Sequence, residues 1–197
     1  VMQSVQLEKI DVGVRLNITP RVSGDGFITT LVEPEVSRIL RFVGPDEDLP
    51  QTSTRRAFTN VRVRDGETII LDAGSTTTEI VDSLLDKQNL KVMTNALNIV
   101  LRLGAVPGFS VFCTSGQFKP PTLSLTGEKA AAFFSDVYAS KLFLATAGIS
   151  FDAGLTYPGF NDLYVKKAMI KAAKEVFLVA DSTKIGKVSL ASLGGLD

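Results

Sequence analysis

The chain has 197 residues, of which 21 are Lys or Arg and 21 are Asp or Glu, so its formal net charge is zero. This balance argues against a general nucleic-acid-binding protein, which would carry a basic excess. The sequence contains no His and a single Cys, which excludes His-based catalysis, an internal disulfide bond and zinc sites built from His or Cys clusters. We expect no signal peptide and no membrane-spanning helix, because no apolar run reaches the required ~18–20 residues.

The N-terminal third of the chain has the pattern of antiparallel β-structure. Two stretches alternate apolar and polar side chains with the period of a half-buried strand. A short apolar strand between them follows a Ser-Gly-Asp-Gly turn, so the first two strands are expected to pair as a hairpin. A segment with two prolines, a glycine and three acidic residues is expected to be a loop. The predicted elements are strands at 12–20, 27–32 and 55–64, turns at 23–26 and 65–66, and a loop at 44–53.

The pattern changes after residue 66. Short apolar runs typical of buried strands alternate with stretches whose apolar residues recur at helical spacing. This alternation predicts an α/β fold, with a parallel sheet that helices cover on both faces. We therefore expect two parts, an antiparallel β segment at 1–66 and an α/β domain at 67–197. The predicted strands are 69–71, 90–93, 109–113, 141–147 and 176–180, and the predicted helices are 76–86, 95–103, 127–139 and 161–174.

The strongest local signal for chemistry is the segment 71–79, with the sequence LDAGSTTTE, between a predicted strand and a predicted helix. Gly74 is expected to allow a tight turn. The hydroxyls of Ser75, Thr76 and Thr77 would lie beside the free amides of the helix start, which favour an anion together with the helix dipole. The segment is therefore a candidate phosphate-binding loop. The alternative is that Ser75 or Thr76 only caps the helix.

Other polar residues follow the remaining predicted strands. Ligands of open α/β sheets bind outside the carboxyl ends of the strands, and the residues expected there suit a sugar or a sugar phosphate. Lys166 and Lys184 are candidates for binding the phosphate, with a solvated surface charge as the alternative for each. Asp72 and Asp181 either cap helices or bind a sugar hydroxyl. The residues expected in the site are Asp72, Gly74, Ser75, Thr76, Thr77, Thr94, Asn95, Gly148, Asp152, Lys166 and Lys184.

Residues 66–196 resemble the C-terminal effector domain of DeoR-family transcriptional repressors. This resemblance implies a fold similar to ribose-5-phosphate isomerase and glucosamine-6-phosphate deaminase. It also implies a cytoplasmic sensor that binds a phosphorylated sugar or another small anion, has no cofactor, and releases DNA when occupied. It supports a phosphate-binding role for residues 72–77 and for Lys184. The matching stretches, in order, are DGETIILDAGSTT at 65–77, VMTNALN at 92–98, GI at 148–149 with GLT at 154–156, VKKAMI at 165–170, and ADSTKIG at 180–186.

The chain departs from the pattern of this family in three respects. Nothing in it resembles the N-terminal winged helix-turn-helix of the family, so DNA binding is expected only through such a segment, which is absent from this chain. The acidic residues that usually precede the Val-Lys of the fourth helix are not preserved, since Asp162 is followed by Leu163 and Tyr164. The sequence also stops at Leu196-Asp197, before the strand with which family members complete the sheet.

Residues 7–70 resemble a second family, the C-terminal β-domain of secretins, which form outer-membrane pores in type II secretion and type IV pilus systems. Both families place a strand after an Asp-Gly turn, so the junction is expected within Asp65–Ile70, and the chain is expected to be a chimera. A secretin fragment alone would expose strand edges, which makes homo-oligomerisation a further expectation. The matching stretches are 11–20, 25–28, 34–37, 54–56 and 61–69.

Three functions are therefore open. The first is a DeoR-type regulatory domain that senses a sugar phosphate and is not an enzyme. The second is a secretin-derived outer-membrane pore or structural β-module. The third is an enzyme similar to sugar-phosphate isomerases or deaminases, which would need a positioned base. Asp72, Asp152 and Asp181 are available for that role, but their spacing reveals no carboxylate pair.

Overall fold

The computed structural model describes residues 13–22, 28–43, 49–56 and 59–195. The chain forms two compact units, and the main boundary between them falls between Val61 and Arg62. Among the described residues, no helix combines the length and the apolarity that crossing a membrane requires. The predicted turn at 23–26, the part of the predicted loop at 44–48 and the C-terminal residues 196–197 lie outside the described residues.

The N-terminal part of the chain forms a four-stranded sheet. Its strands are β1 (Gly13–Val22), β2 (Ile28–Val43), β3 (Leu49–Arg56) and β4 (Thr59–Val63). The long strand β2 is hydrogen-bonded to each of the other three. It runs antiparallel to β3, with the register broken between Ile39 and Arg41. The N-terminal part is therefore a β-sheet, and its β2–β3 pair is antiparallel as predicted.

Two predicted boundaries in this sheet were wrong. Residues 49–53 were expected to be a loop but belong to β3, and the single strand expected at 55–64 is divided between β3 and β4. The reason is that β2 extends well beyond the predicted 27–32 and supplies backbone partners to residues 49–56. Such pairing overrides the local turn signals of proline and acidic residues.

The second unit contains the remaining strands and all the described helices. The strands, in chain order, are β5 (Thr68–Leu71), β6 (Lys91–Thr94), β7 (Ser110–Cys113), β8 (Gln117–Lys119), β9 (Ser124–Thr126), β10 (Ala139–Ala145), β11 (Gly148–Ser150), β12 (Gly154–Tyr157), β13 (Ala173–Val179) and β14 (Ala191–Gly194). The helices are α1 (Ser75–Ile80), α2 (Leu97–Gly104), α3 (Glu128–Ala132) and α4 (Phe160–Ala172), with 3-10 turns at Val81–Leu84, Pro120–Thr122 and Ser182–Lys184.

The centre of this unit is a five-stranded parallel sheet with the order β13-β10-β5-β6-β7. The chain moves from β5 to β6 and β7 in one direction, and then to β10 and β13 in the other. Right-handed crossovers therefore put α1 and α2 on one face and α3 and α4 on the other, where α3 packs against α4. The predicted α/β fold, with helices on both faces of a parallel sheet, is confirmed.

One core cluster lies between the middle of this sheet and the α3–α4 layer. Ile70 and Leu142 from neighbouring strands pack with Val165 and Met169 of α4, and all four are fully buried. Phe134 completes the cluster, and its ring meets Phe133 edge-on with 5.1 Å between centroids. Burial of each large side chain contributes about 1.5–3 kcal/mol. This packing holds the carboxyl ends of β5 and β10 in a defined position.

Two smaller β-structures were not predicted. β8 and β9 form an antiparallel hairpin, and β11, β12 and β14 form an antiparallel sheet. Their strands have only three or four residues, and β11, β12 and β14 each contain a glycine, so these sequences look like loops. Gly154 has φ +66°, and a Cβ there would lie 1.7 Å from the carbonyl oxygen of Gly194. The tertiary contact with β14 therefore requires glycine at this position.

Candidate ligand-binding site

A cavity of about 200 Å³ lies in the second unit, beyond the carboxyl ends of β5 and β10. The order of the sheet reverses between these two strands, and ligands of open α/β folds bind at such a switch point. The walls come from the β5–α1 loop, the residues after β10, the β8–β9 hairpin, the start of α4 and the segment after β13. Three lysines, one carboxylate and several hydroxyl groups line the cavity: Lys119, Lys166, Lys184, Asp162, Ser75, Thr76, Thr122, Ser124, Thr146 and Tyr157.

The β5–α1 loop passes very close to β10. Gly74 precedes α1 with φ 172°, which is extended backbone that any residue can adopt. A Cβ at this position would lie only 2.7 Å from the Cβ of Ala145. The glycine is therefore required by close packing and not by the tight turn that the sequence predicted. No side chain caps α1, so the hydroxyls of Ser75 and Thr76 are not used in capping, and both residues line the cavity.

The hydroxyl of Thr77 points away from the cavity. Thr77 is buried, and its Oγ1 donates to the carbonyl oxygen of Gly74 at 2.9 Å. Thr78 Oγ1 donates to the same oxygen at 2.7 Å. These bonds fix the carbonyl of Gly74 at the first turn of α1 and stabilise the shape of the loop.

Asp72 lies beneath the loop and joins three elements. Its Oδ1 accepts from the amide of Ala73 at 2.7 Å, and its Oδ2 accepts from the amide of Ala145 at 2.9 Å. Lys166 of α4 forms an ion pair with the same carboxylate. Burial raises the pKa of the Asp72 carboxyl, while the Lys166 ammonium and the two amides act in the opposite direction. Asp72 thus holds the ends of β5 and β10 and the middle of α4 together.

Asn95 performs a similar task on the other side of the loop. Its Oδ1 accepts from the amide of Ala73 at 3.0 Å, and its Nδ2 donates to the carbonyl oxygen of Leu125 at 3.1 Å. Asn95 is almost completely buried, as is Thr94, whose Oγ1 accepts from the amide of Ala96 at 3.0 Å. Asn95 therefore connects the β5–α1 loop with the β8–β9 hairpin.

The hairpin and the start of α4 supply a second ion pair in the cavity wall. Lys119 Nζ donates to Asp162 Oδ2 at 2.7 Å, and the Asp162 side chain is 11% exposed. Thr122 and Ser124 follow Lys119 closely in the chain, and their hydroxyl oxygens lie 2.6 Å apart. Both residues line the same cavity. This part of the wall offers hydrogen-bond donors and acceptors without a net charge.

Tyr157 closes the cavity beside Lys166. Its hydroxyl donates to the carbonyl oxygen of Ala145 at 2.8 Å, and the Lys166 ammonium lies 5.5 Å from the centroid of its ring. Burial, followed by the charge of Asp72, raises the pKa of Tyr157. The phenol therefore stays protonated and acts as a donor.

Lys184 enters the cavity from the segment after β13. Its Nζ lies 3.9 Å from Asp181 Oδ2, beyond hydrogen-bonding distance. The other oxygen of Asp181, Oδ1, accepts from the amide of Thr183 at 2.8 Å and from the hydroxyl of the same residue. The Thr183 hydroxyl is the main cause of the lowered pKa of Asp181. Lys184 has the loosest carboxylate contact of the three lysines that line the cavity.

The structure brings together five of the eleven residues that the sequence indicated. Those that line the cavity are Gly74, Ser75, Thr76, Lys166 and Lys184. The other six lie outside its lining: Asp72, Thr77, Thr94, Asn95, Gly148 and Asp152. The first four of these support the β5–α1 loop and the neighbouring chain through their hydrogen bonds. Gly148 is buried in β11, and Asp152 is exposed in the turn before β12.

Sequence reasoning missed the hairpin and the start of α4. Lys119, Thr122 and Ser124 surround two prolines in a segment without periodicity, so nothing in the sequence marks them as a site. Tyr157 is in a four-residue strand that resembles a loop. Asp162 did carry a signal, because it occupies the position at which the DeoR pattern is altered, but its partner in the hairpin is 43 residues away.

Two family models match the chain. Residues 57–197 match the DeoR C terminal sensor domain. Residues 1–83 match the bacterial type II and III secretion system protein family, so the two matches overlap from residue 57 to residue 83. A solved structure, ribose 5-phosphate isomerase from Plasmodium falciparum, aligns with 62% of this chain and 46% of its own, at 14% identity and a TM-score of 0.41.

Curated relatives include several transcriptional regulators. The regulator IolR of Bacillus subtilis is 29% identical over 135 residues, which is 68% of this chain and 54% of that protein. The repressor AccR of Agrobacterium fabrum is 34% identical over 128 residues, 64% of this chain and 50% of its own. The glycerol-3-phosphate regulon repressor of Escherichia coli is 26% identical over 135 residues, 68% of this chain and 54% of its own. The chain thus spans about half the length of these relatives. Since the sensor-domain model matches well over half of its residues, the chain belongs to the DeoR C-terminal sensor domain family.

Proposed function

We propose that the chain is the sensing part of a transcriptional repressor and that it binds a phosphorylated sugar in the cavity beyond β5 and β10. The observation that carries this proposal is the cavity itself, at a switch point of the sheet, with three lysines and several hydroxyls in its wall. Family membership supports the regulatory role. One relative is named as the repressor of a glycerol-3-phosphate regulon, which supports a phosphorylated ligand.

The phosphate is proposed to lie between the β5–α1 loop and Lys184. Ser75 and Thr76 supply hydroxyls, and Lys184 supplies a cation whose carboxylate neighbour lies 3.9 Å away, beyond hydrogen-bonding distance. Charge-assisted hydrogen bonds of this kind are about twice as strong as neutral ones. The sugar hydroxyls would then meet the neutral wall at the hairpin and the start of α4. The loop and its neighbours are held in place by Asp72, Thr77, Thr94 and Asn95. Gly148 and Asp152 have no direct role in binding.

Sensing without turnover follows from the state of the carboxylates. Isomerisation of a sugar phosphate needs a free base beside the reacting carbon. Asp72 is held by Lys166 and two amides, and Asp162 is held by Lys119. Asp181 is engaged by Thr183, and Asp152 lies outside the cavity. We therefore infer that the chain is not an enzyme.

The remaining features concern the protein as a whole. We infer that residues 67–197 form the sensor and that residues 1–66 derive from a secretin, so the chain would be a chimera. A longer DeoR-type protein would contact DNA through its helix-turn-helix and would act in the cytoplasm. A homo-oligomer is a further inference. The match of residues 1–83 to the secretion system family supports a second candidate function, a structural β-module of a secretin.

Isothermal titration with monophosphates of three- to six-carbon sugars tests the proposal. We expect one of them to bind, and we expect Lys184→Ala to weaken that binding at least about tenfold. Lys187→Ala is the matched control, because Lys187 is exposed in the same segment but does not line the cavity. Absence of binding by every compound at millimolar concentration would contradict the proposal. A many-subunit, detergent-dependent assembly in size-exclusion chromatography would favour the secretin candidate.

A further inference from the structure

The three lysines of the cavity differ in how their charges are balanced. The Lys166 side chain is 7% exposed and forms an ion pair with the fully buried Asp72. Lys119 donates to Asp162 at 2.7 Å. Lys184 has its carboxylate neighbour, Asp181 Oδ2, at 3.9 Å, so this contact is not a hydrogen-bonded ion pair. The cavity therefore offers one cation whose ion pair is long and not hydrogen-bonded.

We propose that the Lys119–Asp162 pair is a specificity-determining element that limits the ligand to a single phosphate group. This inference rests on the proposed function and deepens it, since it defines the charge class of the sugar phosphate. With one phosphate at Lys184, a second phosphate would have to approach Lys119 or Lys166. Both ammonium groups are already neutralised, so neither adds the attraction that a second dianion needs.

The carboxylate of Asp162 also competes with a second phosphate for the Lys119 ammonium. The residue is 8% exposed and lines the cavity, so water screens its charge only weakly. A second phosphate that displaced this carboxylate from Lys119 would lie beside a poorly screened like charge, and such contacts are strongly repulsive. A sugar hydroxyl meets no such penalty, because it can donate to the carboxylate and accept from the ammonium. The pair would therefore accept the uncharged end of a sugar monophosphate and reject a bisphosphate.

A purely structural role of the pair predicts a different result. The ion pair also ties the β8–β9 hairpin to α4, and its loss would loosen both. Such loosening would weaken the binding of monophosphates and bisphosphates together. The ratio of the two affinities therefore separates a role in specificity from a role in structure.

The test measures this ratio by isothermal titration of the full chain with matched pairs. Suitable pairs are fructose 6-phosphate with fructose 1,6-bisphosphate and ribulose 5-phosphate with ribulose 1,5-bisphosphate. We expect the chain to prefer the monophosphate by about tenfold or more. Asp162→Asn keeps the shape of the side chain but frees the charge of Lys119, so we expect the preference to fall by about tenfold through a gain in bisphosphate affinity.

Two further variants make the outcome decisive. Asp152→Asn removes the same charge from an exposed turn outside the cavity, and its ratio should equal that of the unaltered chain. Lys119→Gln leaves the Asp162 carboxylate uncompensated, so the preference for the monophosphate should rise, which tests the inference even if Asp162→Asn fails to fold.

The possible failures are distinguishable. If monophosphates bind but the ratio is the same in Asp162→Asn and in Lys119→Gln, the inference is overturned and the proposed function stands. A native preference for bisphosphates also overturns the inference alone. If no sugar phosphate binds to the unaltered chain, the proposed function fails and this inference fails with it.

Discussion

The buried contact between Asp72 and Lys166 leads to the sharpest prediction about stability. The Asp72 carboxylate accepts hydrogen bonds from the amides of Ala73 and Ala145 as well as the ion pair from Lys166. In Asp72→Asn one acceptor oxygen remains, and the new NH₂ group must face at least one of these donors. Lys166, only 5% exposed, would then keep its charge without a carboxylate partner.

The magnitude follows from this count of unsatisfied groups. Removing one partner of a buried ion pair costs about 3–5 kcal/mol, because the other charge stays buried and uncompensated. We expect Asp72→Asn to lower the free energy of unfolding by this amount. In Asp72→Asn with Lys166→Met, the stranded charge is gone, so part of the loss should be recovered. The double-mutant cycle should then give a coupling of at least about 2 kcal/mol.

Urea unfolding followed by far-ultraviolet circular dichroism measures these values, because the described helices all belong to the second unit. The control is Asp152→Asn, which removes an exposed carboxylate and should change the free energy of unfolding by less than about 0.5 kcal/mol. A loss below about 1 kcal/mol in Asp72→Asn, or additive effects in the double mutant, would refute the reasoning. Either result would mean that water or a rearranged side chain satisfies Lys166.

Two other predictions test the loop and the base of the sheet. Gly74→Ala puts a Cβ 2.7 Å from that of Ala145. We therefore expect the free energy of unfolding in urea to fall by about 1–3 kcal/mol and the sugar phosphate to bind more weakly. Gly104→Ala is the control and should have neither effect, because a Cβ there meets nothing within 4 Å. Partial burial disfavours the ionised form of Glu67, but the ion pair with Lys141 and the amide of Arg64 outweigh it and lower the pKa of Glu67. Because the ionised form is favoured in the folded state, the Glu67 carboxylate stabilises the fold at pH values above its ordinary pKa of 4.5. This stabilisation is lost as the pH falls through the folded-state pKa. Glu67→Gln should therefore flatten the decline of unfolding free energy below pH 4.5, and an unchanged pH profile would exclude this contribution.

The α/β part of the fold could be predicted because each central strand carries its own signal. Strand β5 contains a continuous apolar run, Ile69, Ile70 and Leu71, as expected for a strand that is buried on both faces. The predicted helix at 161–174 corresponds to α4, which begins after Gly159 and presents Val165 and Met169 to the sheet. Periodicity and length are sufficient where an element buries its own apolar residues.

The remaining elements depend on contacts between distant residues. β11, β12 and β14 each gain stability only by pairing, and β14 lies more than 30 residues beyond β12 in the chain. β3 likewise becomes a strand because β2 is long enough to accept it. No local pattern of side chains encodes such a partner, so short strands of this kind appear in the sequence as loops.

The candidate site shows the same limit in chemical terms. Asp72 and Asn95 are conspicuous because buried-type strands precede them, yet their polar atoms are used up in holding the amide of Ala73 from two sides. A polar group with every bond satisfied by the protein has little left to offer to a ligand. The groups left for a ligand belong to Ser75, Thr76 and Lys184, which the sequence indicated, and to the hairpin around Lys119, where no sequence pattern marks a site. Polar residues at the ends of buried strands thus point to the candidate cavity, but which of them can contact a ligand is decided by hydrogen bonds that only the folded chain forms.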